Sequence, residues 1–407
     1  MRPFFFTAKP HPDRRQLRCP QPPLILAYCV VTGKNPMPVI CGQHAIRRRR
    51  ALRKSAATVK ADGLLVSRAE DVHYLSGFTG GDSYLLVARE AACLITDGRY
   101  GEQAGRQCRG VDVHVRTGRM VQAVSEVLKG RRIRRLGFQA EHMTVRGRDA
   151  LAAELGPRRI RPIHEAVADL RAVKDDSEVR RIRRSVRVAE RAFRGLLAAG
   201  AKAFLGRSER ELAAELDYRM RLAGAECPAF ETIVAAGANA SLPHYRPGSR
   251  KPQRGEGVLI DWGAKVNGYC SDLTRVVFLG TIPPKIATVY KVVLAAQKAA
   301  SAAARAGVSC KTVDSAARKV IAAAGYGRQF IHGLGHGIGL EIHEAPQVTR
   351  ADDRRLRAGM VITVEPGIYL PGFGGVRIED DVLVTRQGPQ RLSSLPRTLA
   401  AMTLQTR

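Results

Sequence analysis

Apolar positions along this chain follow two rhythms. Over residues 46–170, short apolar runs closed by Gly and Asp alternate with helical spacings. Residues 62–67 (DGLLVS), 83–88 (SYLLVA) and 92–96 (ACLIT) have the length and punctuation of buried strands. Residues 120–129 have the spacing of a helix that Gly130 ends. Residues 171–178 (RAVKDDSE) form a polar hinge. After it Val179, Ile182, Val186, Ala189, Phe193 and Leu196 fall three or four apart, on one face of a long helix. Asp175 with Glu178 has the form of a capping box at its start. Helices then alternate with hairpin patterns to about Leu395. The pattern predicts two domains, an α/β domain over 46–170 and an α+β domain over 171–397.

Residues 1–45 carry neither rhythm. They are rich in Pro and Arg, and their start, MRPFFF, lacks the charged region, apolar core and cleavage site of a secretory signal. The expectation is a disordered tail, or sequence upstream of the true start, with Met37 an alternative start.

Composition narrows the partners. The 407 residues carry a net charge of +30, which raises nucleic acid as a ligand. The excess is arginine, 53 against 14 lysines, as in GC-rich coding sequence, and it is scattered apart from 47–50. No aromatic-studded basic motif or zinc finger accompanies it, so no nucleic-acid partner is expected. The longest early apolar run, 23–31, is about half of the roughly 20 residues a membrane span needs, so no membrane is expected either. Eight cysteines without a C-x-x-C pair fit reduced thiols in a cytoplasmic protein.

Three stretches carry chemistry. The first is 257–279 (GVLIDWGAKVNGYCSDLTRVVFL), two β-rich arms around Asn267-Gly268. A turn on Val266-Asn267 sets Asp261 opposite Asp272, and a turn on Asn267-Gly268 makes them diagonal. Either register places both carboxylates on one face. Asp261 follows an apolar run, and a buried unpaired charge costs several kcal/mol, which favours a metal over two exposed turn aspartates. The second stretch is 330–346 (FIHGLGHGIGLEIHEAP), three histidines in a Gly-rich loop. A dinucleotide loop fails here, because Ile338 stands where G-x-G-x-x-G needs its third glycine. The third stretch, 360–385 (MVITVEPGIYLPGFGGVRIEDDVLVT), has Glu365 and Glu379 entering apolar strands. Arg377 shares a face with Glu379 by the period of two. Four carboxylates and one imidazole suit manganese, cobalt, iron or zinc rather than copper.

The ordered set Asp261, Asp272, His336, Glu365 and Glu379, with the strings GHGIGLEIHEAP, EPGIY and RIEDD, resembles the metal cage of the pita-bread metallopeptidases. That family includes methionine aminopeptidase, aminopeptidase P and prolidase. Residues 64–100 also resemble the N-terminal domain of its creatinase and proline-peptidase branch. The resemblance covers about 50–400 and implies a creatinase-like N-terminal α/β domain followed by an α+β pita-bread catalytic domain. It implies two divalent metal ions, manganese foremost. Asp261 would chelate one, His336 and Glu365 would hold the other, and Asp272 and Glu379 would bridge. A bridging hydroxide would attack the scissile carbonyl, with Glu365 as proton shuttle and His343 stabilising the oxyanion. His244 would lie beside the substrate, His332 would line the proline pocket, and Arg377 would orient Glu379. The activity implied is an Xaa-Pro aminopeptidase acting on proline-containing peptides as a homodimer. The alternatives are an Xaa-Pro dipeptidase (prolidase) and a non-catalytic binding module, which lost ligands would mark.

Residues 1–36 have no period and no motif, so deleting them is expected to leave activity and melting temperature unchanged. A large fall in melting temperature would show that the segment packs on the rest.

Overall fold

The computed structural model describes residues 42–58 and 60–406, and the expectation for residues 1–41 lies outside them. The assigned tail nevertheless ended too late. Helix α1 (Gly42–Thr58) begins inside it, because Ala45 and Leu52 are buried and Arg48 and Arg49 are anchored. The Arg48 guanidinium donates to the Tyr74 carbonyl at 3.1 Å and pairs with Asp175 at 2.7 Å and Glu178 at 3.0 Å. Arg49 donates to the Leu75 carbonyl at 2.6 Å. Two arginines of the 47–50 run are thus spent on packing.

The N-terminal domain is a six-stranded sheet: β1 (Gly63–Val66), β2 (Tyr84–Ala88), β3 (Ala92–Asp97), β4 (Asp112–Arg116), β5 (Leu136–Gln139) and β6 (Ile160–Ile163), ordered β4-β3-β2-β1-β5-β6. Alternate residues serve opposite faces, as strand geometry requires. Leu64 and Val66 pack with α1, α2 (Ala69–Ser76) and α3 (Gly101–Gln107), whereas Leu65 packs with α4 (Met120–Gly130) and α5 (Val145–Leu155). Helix α6 (Ala166–Ala172) leads into the hinge.

Helix α7 (Asp176–Ala198) starts at the expected capping box, with the Asp175 carboxylate accepting from Glu178 N and Glu178 accepting from Asp175 N. Its face is shared between two cores. Ile182 and Val186 pack with the N-terminal domain, and Ala189, Phe193 and Leu196 with α8 (Lys202–Leu205) and α9 (Glu209–Leu222).

The C-terminal domain is built on two main sheets. A short ladder joins β7 (Cys227–Pro228), β10 (Ala264–Val266) and β11 (Tyr269–Cys270); the first main sheet holds β8 (Ile233–Ala236), β9 (Gly257–Trp262), β12 (Leu273–Leu279) and β20 (Thr403–Leu404). Because Thr403 pairs with Phe278, the domain runs past the expected end at 397. The second main sheet orders β14 (Glu344–Val348), β13 (Gly335–Gly337), β15 (Val361–Val364), β18 (Asp380–Thr385) and β19 (Gly388–Arg391); β16 (Gly367–Leu370) and β17 (Gly374–Arg377) extend its hairpin. Val258 and Ile260 face α7 and α9. Leu259, Val276 and Phe278 face α10 (Pro284–Ala303), α11 (Cys310–Ala323) and the Ile362 and Val364 side of the second sheet. That inner face of β9 and β12 carries the site. Among the described residues no helix is long and apolar enough to cross a membrane.

Glu178 is buried beneath Arg48, and burial pushes its carboxyl up even with that partner. Arg48→Met would leave Glu178 without its cation, a loss of about 3–5 kcal/mol. Denaturant unfolding checks this, and a loss below about 1 kcal/mol would show that the pair does not tie α1 to α7.

Candidate active site

The inner face of β9 and β12 is apolar for most of its length and turns acidic near the hairpin tip. Asn267 and Gly268 both have positive φ, 51° and 79°, the turn type that matches strand twist. The ladder pairs Asp261 with Thr274. Asp272 is therefore diagonal to Asp261, which decides between the two registers the sequence allowed.

The second hairpin behaves alike. Val364 pairs with Asp380 and Gly367 with Arg377, which sets Glu365 opposite Glu379 where the ladder is interrupted. The hairpins meet along their acidic ends. Glu379 N donates to the Thr274 carbonyl at 3.2 Å, and Asp272 N to the Asp381 carboxylate at 3.1 Å.

His336 arrives on β13, wedged between β15 and β14. A Cβ at Gly335 would lie 2.2 Å from the Thr363 carbonyl oxygen, and one at Gly337 2.2 Å from that of Ala345. Only glycine on each side lets this strand sit so close. The His336 Nδ1 lies 3.0 Å from the Gly337 carbonyl, so that nitrogen carries the proton. Burial holds the ring neutral, down at about 4. Nε2 then presents a lone pair 3.4 Å from Glu365 Oε1 and 3.6 Å from Asp272 Oδ2.

Three acceptors facing one another repel unless a cation or a proton stands between them. Metal bonds of about 2.0–2.2 Å place neighbouring ligand atoms roughly 3–3.5 Å apart, close to the 3.4 and 3.6 Å found here. Ligand atoms of Asp272, His336 and Glu379 all lie within 4.8 Å of one another. Asp261 Oδ1, Asp272 Oδ1 and Glu379 Oε1 are sealed from solvent without a hydrogen-bond partner. Burial first, then the neighbouring carboxylates, pushes Asp272 and Glu379 well above the usual carboxylate range. Burial raises Glu365 to about 7, against the pull of Arg377. The donor set thus fits divalent cations, with Asp261, Asp272, His336, Glu365 and Glu379 as the residues that would hold them.

The surrounding contacts correct one expectation. Arg377 does not bond Glu379. Its guanidinium donates to the Asp261 carboxylate, to the Tyr369 hydroxyl at 2.8 Å, to Thr274 Oγ1 at 3.1 Å and to the Pro243 carbonyl at 3.3 Å. The Thr274 hydroxyl is what donates to Glu379, at 2.6 Å. The guanidinium is linked to Glu379 through Thr274 Oγ1, which accepts from Arg377 and donates to the glutamate.

The other histidines lie around the cage. The His343 ring packs edge-on to His336 at 4.3 Å between centroids, with an open side. Burial and then the neighbouring His244 push it below its ordinary value. His332 Nε2 meets the Tyr369 hydroxyl at 2.9 Å and Nδ1 the Gly333 carbonyl at 2.7 Å. Burial lowers His332 to about 4. His244 is exposed, near enough to act on both His332 and His343.

Thr363, Asp381 and Thr274 escaped the sequence reading, and Tyr369, expected beside the proline pocket, makes bonds that the sequence did not show. Thr363 accepts from His336 N and donates to Glu365, at 3.0 and 3.1 Å. Tyr369 joins Arg377 to His332, Asp381 lies beneath Asp272, and Thr274 braces Glu379. Thr363 and Asp381 each stand two residues from a cage glutamate, on its face by strand period. Thr274 required the register.

Comparison with known proteins places this geometry in context. Residues 180–386 match the model of metallopeptidase family M24, and residues 48–173 that of the creatinase/prolidase N-terminal domain. The chain is 37% identical over 341 residues to an Xaa-Pro dipeptidase of Pyrococcus horikoshii, covering 83% of this chain and 94% of that one. It resembles the structure of an Xaa-Pro dipeptidase from Bacillus anthracis with a TM-score of 0.84 and 36% identity, over 88% of this chain and 100% of that chain. It also resembles that of an X-Pro aminopeptidase from Thermotoga maritima, with a TM-score of 0.79 and 36% identity, over 87% of this chain and 100% of that chain.

The raised carboxyls set a pH dependence. A carboxyl whose folded pKa exceeds its unfolded value holds more protons when folded, so stability falls as pH rises towards the folded value. The buried histidines have the opposite sign but finish titrating near their unfolded value of about 6.5. Between pH 6.5 and 8.5 the metal-free protein should therefore lose stability. Manganese should raise the melting temperature more at pH 8.5 than at 6.5, because ligand protons compete with it. Equal shifts at both pH values would contradict a carboxylate cage.

Proposed function

This chain belongs to metallopeptidase family M24, and we propose that within it the protein is a two-metal Xaa-Pro dipeptidase. The observation that carries the metallopeptidase chemistry is the buried group of carboxylates around an unprotonated His336 nitrogen, with carboxylate oxygens left unpartnered. The five expected ligand residues are all intact, which speaks against a binding module that has lost its catalysis.

When bound, divalent cations supply Lewis acidity, acidifying a water and polarising the scissile carbonyl. The chain supplies the rest. Glu365 takes the proton of the attacking water and passes it to the leaving proline nitrogen, which as a tertiary amide brings no N–H of its own. His343, kept neutral, donates its N–H to the developing oxyanion. Arg377 and Thr274 fix Asp261 and Glu379 so that these do not reorganise during the reaction. His332 has both nitrogens engaged and serves as an ordered wall, with Tyr369, for the proline ring.

Support for the dipeptidase comes from the Pyrococcus and Bacillus relatives; the sequence alone had favoured the aminopeptidase. A dipeptidase needs a cation for the proline carboxylate. Arg377 is consumed by Asp261, Thr274, Tyr369 and Pro243 and is not available. Arg246, two residues after His244, is exposed and only loosely paired with Glu231, at 3.6 Å. It is the residue we assign to that grip. The Thermotoga relative favours the second reading, an Xaa-Pro aminopeptidase, in which the far side of proline stays open.

At equal manganese loading, kcat/KM should be higher for Gly-Pro than for Gly-Pro-Ala, and Arg246→Ala should raise KM for Gly-Pro alone. The reverse order of substrates would establish the aminopeptidase. Cleavage of Met-Ala-Ser as efficient as that of either proline peptide would remove both readings.

A further inference from the structure

His343 has an unusual support. Among the described residues, no side-chain or backbone hydrogen bond to its ring is present, so its place beside His336 depends on the backbone that carries it. That backbone is pinned on both sides. The Glu341 carboxylate pairs with Arg68 at 2.9 Å and Arg171 at 2.8 Å. Glu344 pairs with Arg171 and, at 3.2 Å, with Lys174. Glu344 also accepts from Glu341 N at 3.1 Å, closing a loop under His343. A Cβ on Gly339 would lie 2.7 Å from the Glu344 carboxylate, so this return path requires glycine there.

The cations come from outside the catalytic sheets. Arg68 precedes α2, Arg171 lies in α6, and Lys174 is in the hinge. Arg171 is itself fixed by Asp71 of α2 at 2.7 Å, and Asp71 is held by Gln139 of β5. Arg68, Arg171 and Lys174 balance Asp71, Glu341 and Glu344 charge for charge. Although burial opposes it, Lys174 and Arg171 keep Glu344 ionised, at about 2. Arg171, Lys174, Asp71 and Glu344 are buried, so losing one of these four would leave a buried charge unmatched. A cavity of about 280 Å³ between the domains has His343 on one wall and Arg68, Arg171 and Gln139 on others.

We propose that the N-terminal domain takes part in catalysis by holding the His343 loop, with Arg68 and Arg171 as positioning residues that act through Glu341 and Glu344. The proposal rests on the reading of His343 as the oxyanion donor. Such a donor acts only when correctly placed, and a displacement of about 1 Å can cost roughly 100-fold in rate. The N-terminal domain is then a brace for one imidazole as well as a cover.

The test uses the full-length, manganese-loaded enzyme and an Xaa-Pro substrate. Arg171→Met is expected to damage folding, so the partly exposed pair is chosen, Arg68 and Glu341 having 30% and 29% side-chain exposure. Arg68→Ala and Glu341→Gln should each lower kcat about 10- to 100-fold. KM, manganese content and melting temperature should be nearly unchanged, and Arg68→Lys should recover part of the loss. His343→Ala should by itself lower kcat about 100- to 1000-fold. In that background Arg68→Ala should add nothing, because residues acting through one group are not additive. Unchanged kcat in Arg68→Ala and Glu341→Gln, or losses that multiply in the double variant, would overturn the brace while leaving His343 in its role. Full turnover in His343→Ala would overturn that role, and the brace with it.

Discussion

Burying several carboxylates together is the constraint on which this structure turns. An isolated carboxylate resists leaving water, and neighbours of the same sign raise the cost. The fold brings Asp272, Glu365 and Glu379 together all the same, with Asp261 at their margin, and leaves oxygens among them unpartnered. Two rigid hairpins hold this unfavourable arrangement in place. Their apolar lengths pack against helices on both sides, so the acidic ends cannot separate without undoing the core. The frustration is local, and divalent cations would relieve it.

The chain contains a second buried charge cluster of opposite character. Around Glu341 and Glu344 each carboxylate meets a cation, and the set is complete in itself. Around Asp272 and Glu379 the cation among the described residues is Arg377, which Asp261 takes. The balanced cluster is a fastener and the unbalanced one is a site. His343 sits between them, its ring against the metal cage and its backbone against the fastener. That placement lets structure in one domain reach chemistry in the other.

Much of this was legible in the sequence because it follows from local rules. The Asn267-Gly268 turn, the capping box at Asp175 and the period of the apolar runs each depend on a few neighbouring residues. The cage could be read because acidic residues at the ends of apolar strands conflict with burial unless something resolves the conflict. The local pattern did not mark α1, whose Arg48 and Arg49 lie inside. They are buried because Tyr74, Leu75, Asp175 and Glu178, distant along the chain, supply the partners.

The sequence by itself determined the two domains, the strands and helices that build them, and which acids and histidines would be drawn into an apolar interior. Those are matters of period, turn chemistry and solvation. Only the tertiary structure decided which side chain touches which. It made Asp261 diagonal to Asp272 and Glu365 opposite Glu379, gave Arg377 to Asp261, and interposed Thr274 to serve Glu379. It also joined Arg68 and Arg171 to a loop some 170 to 270 positions further on. Such pairings are set by where rigid elements cross, and hydrogen bonds are too short-ranged and directional to be assigned before that crossing is known.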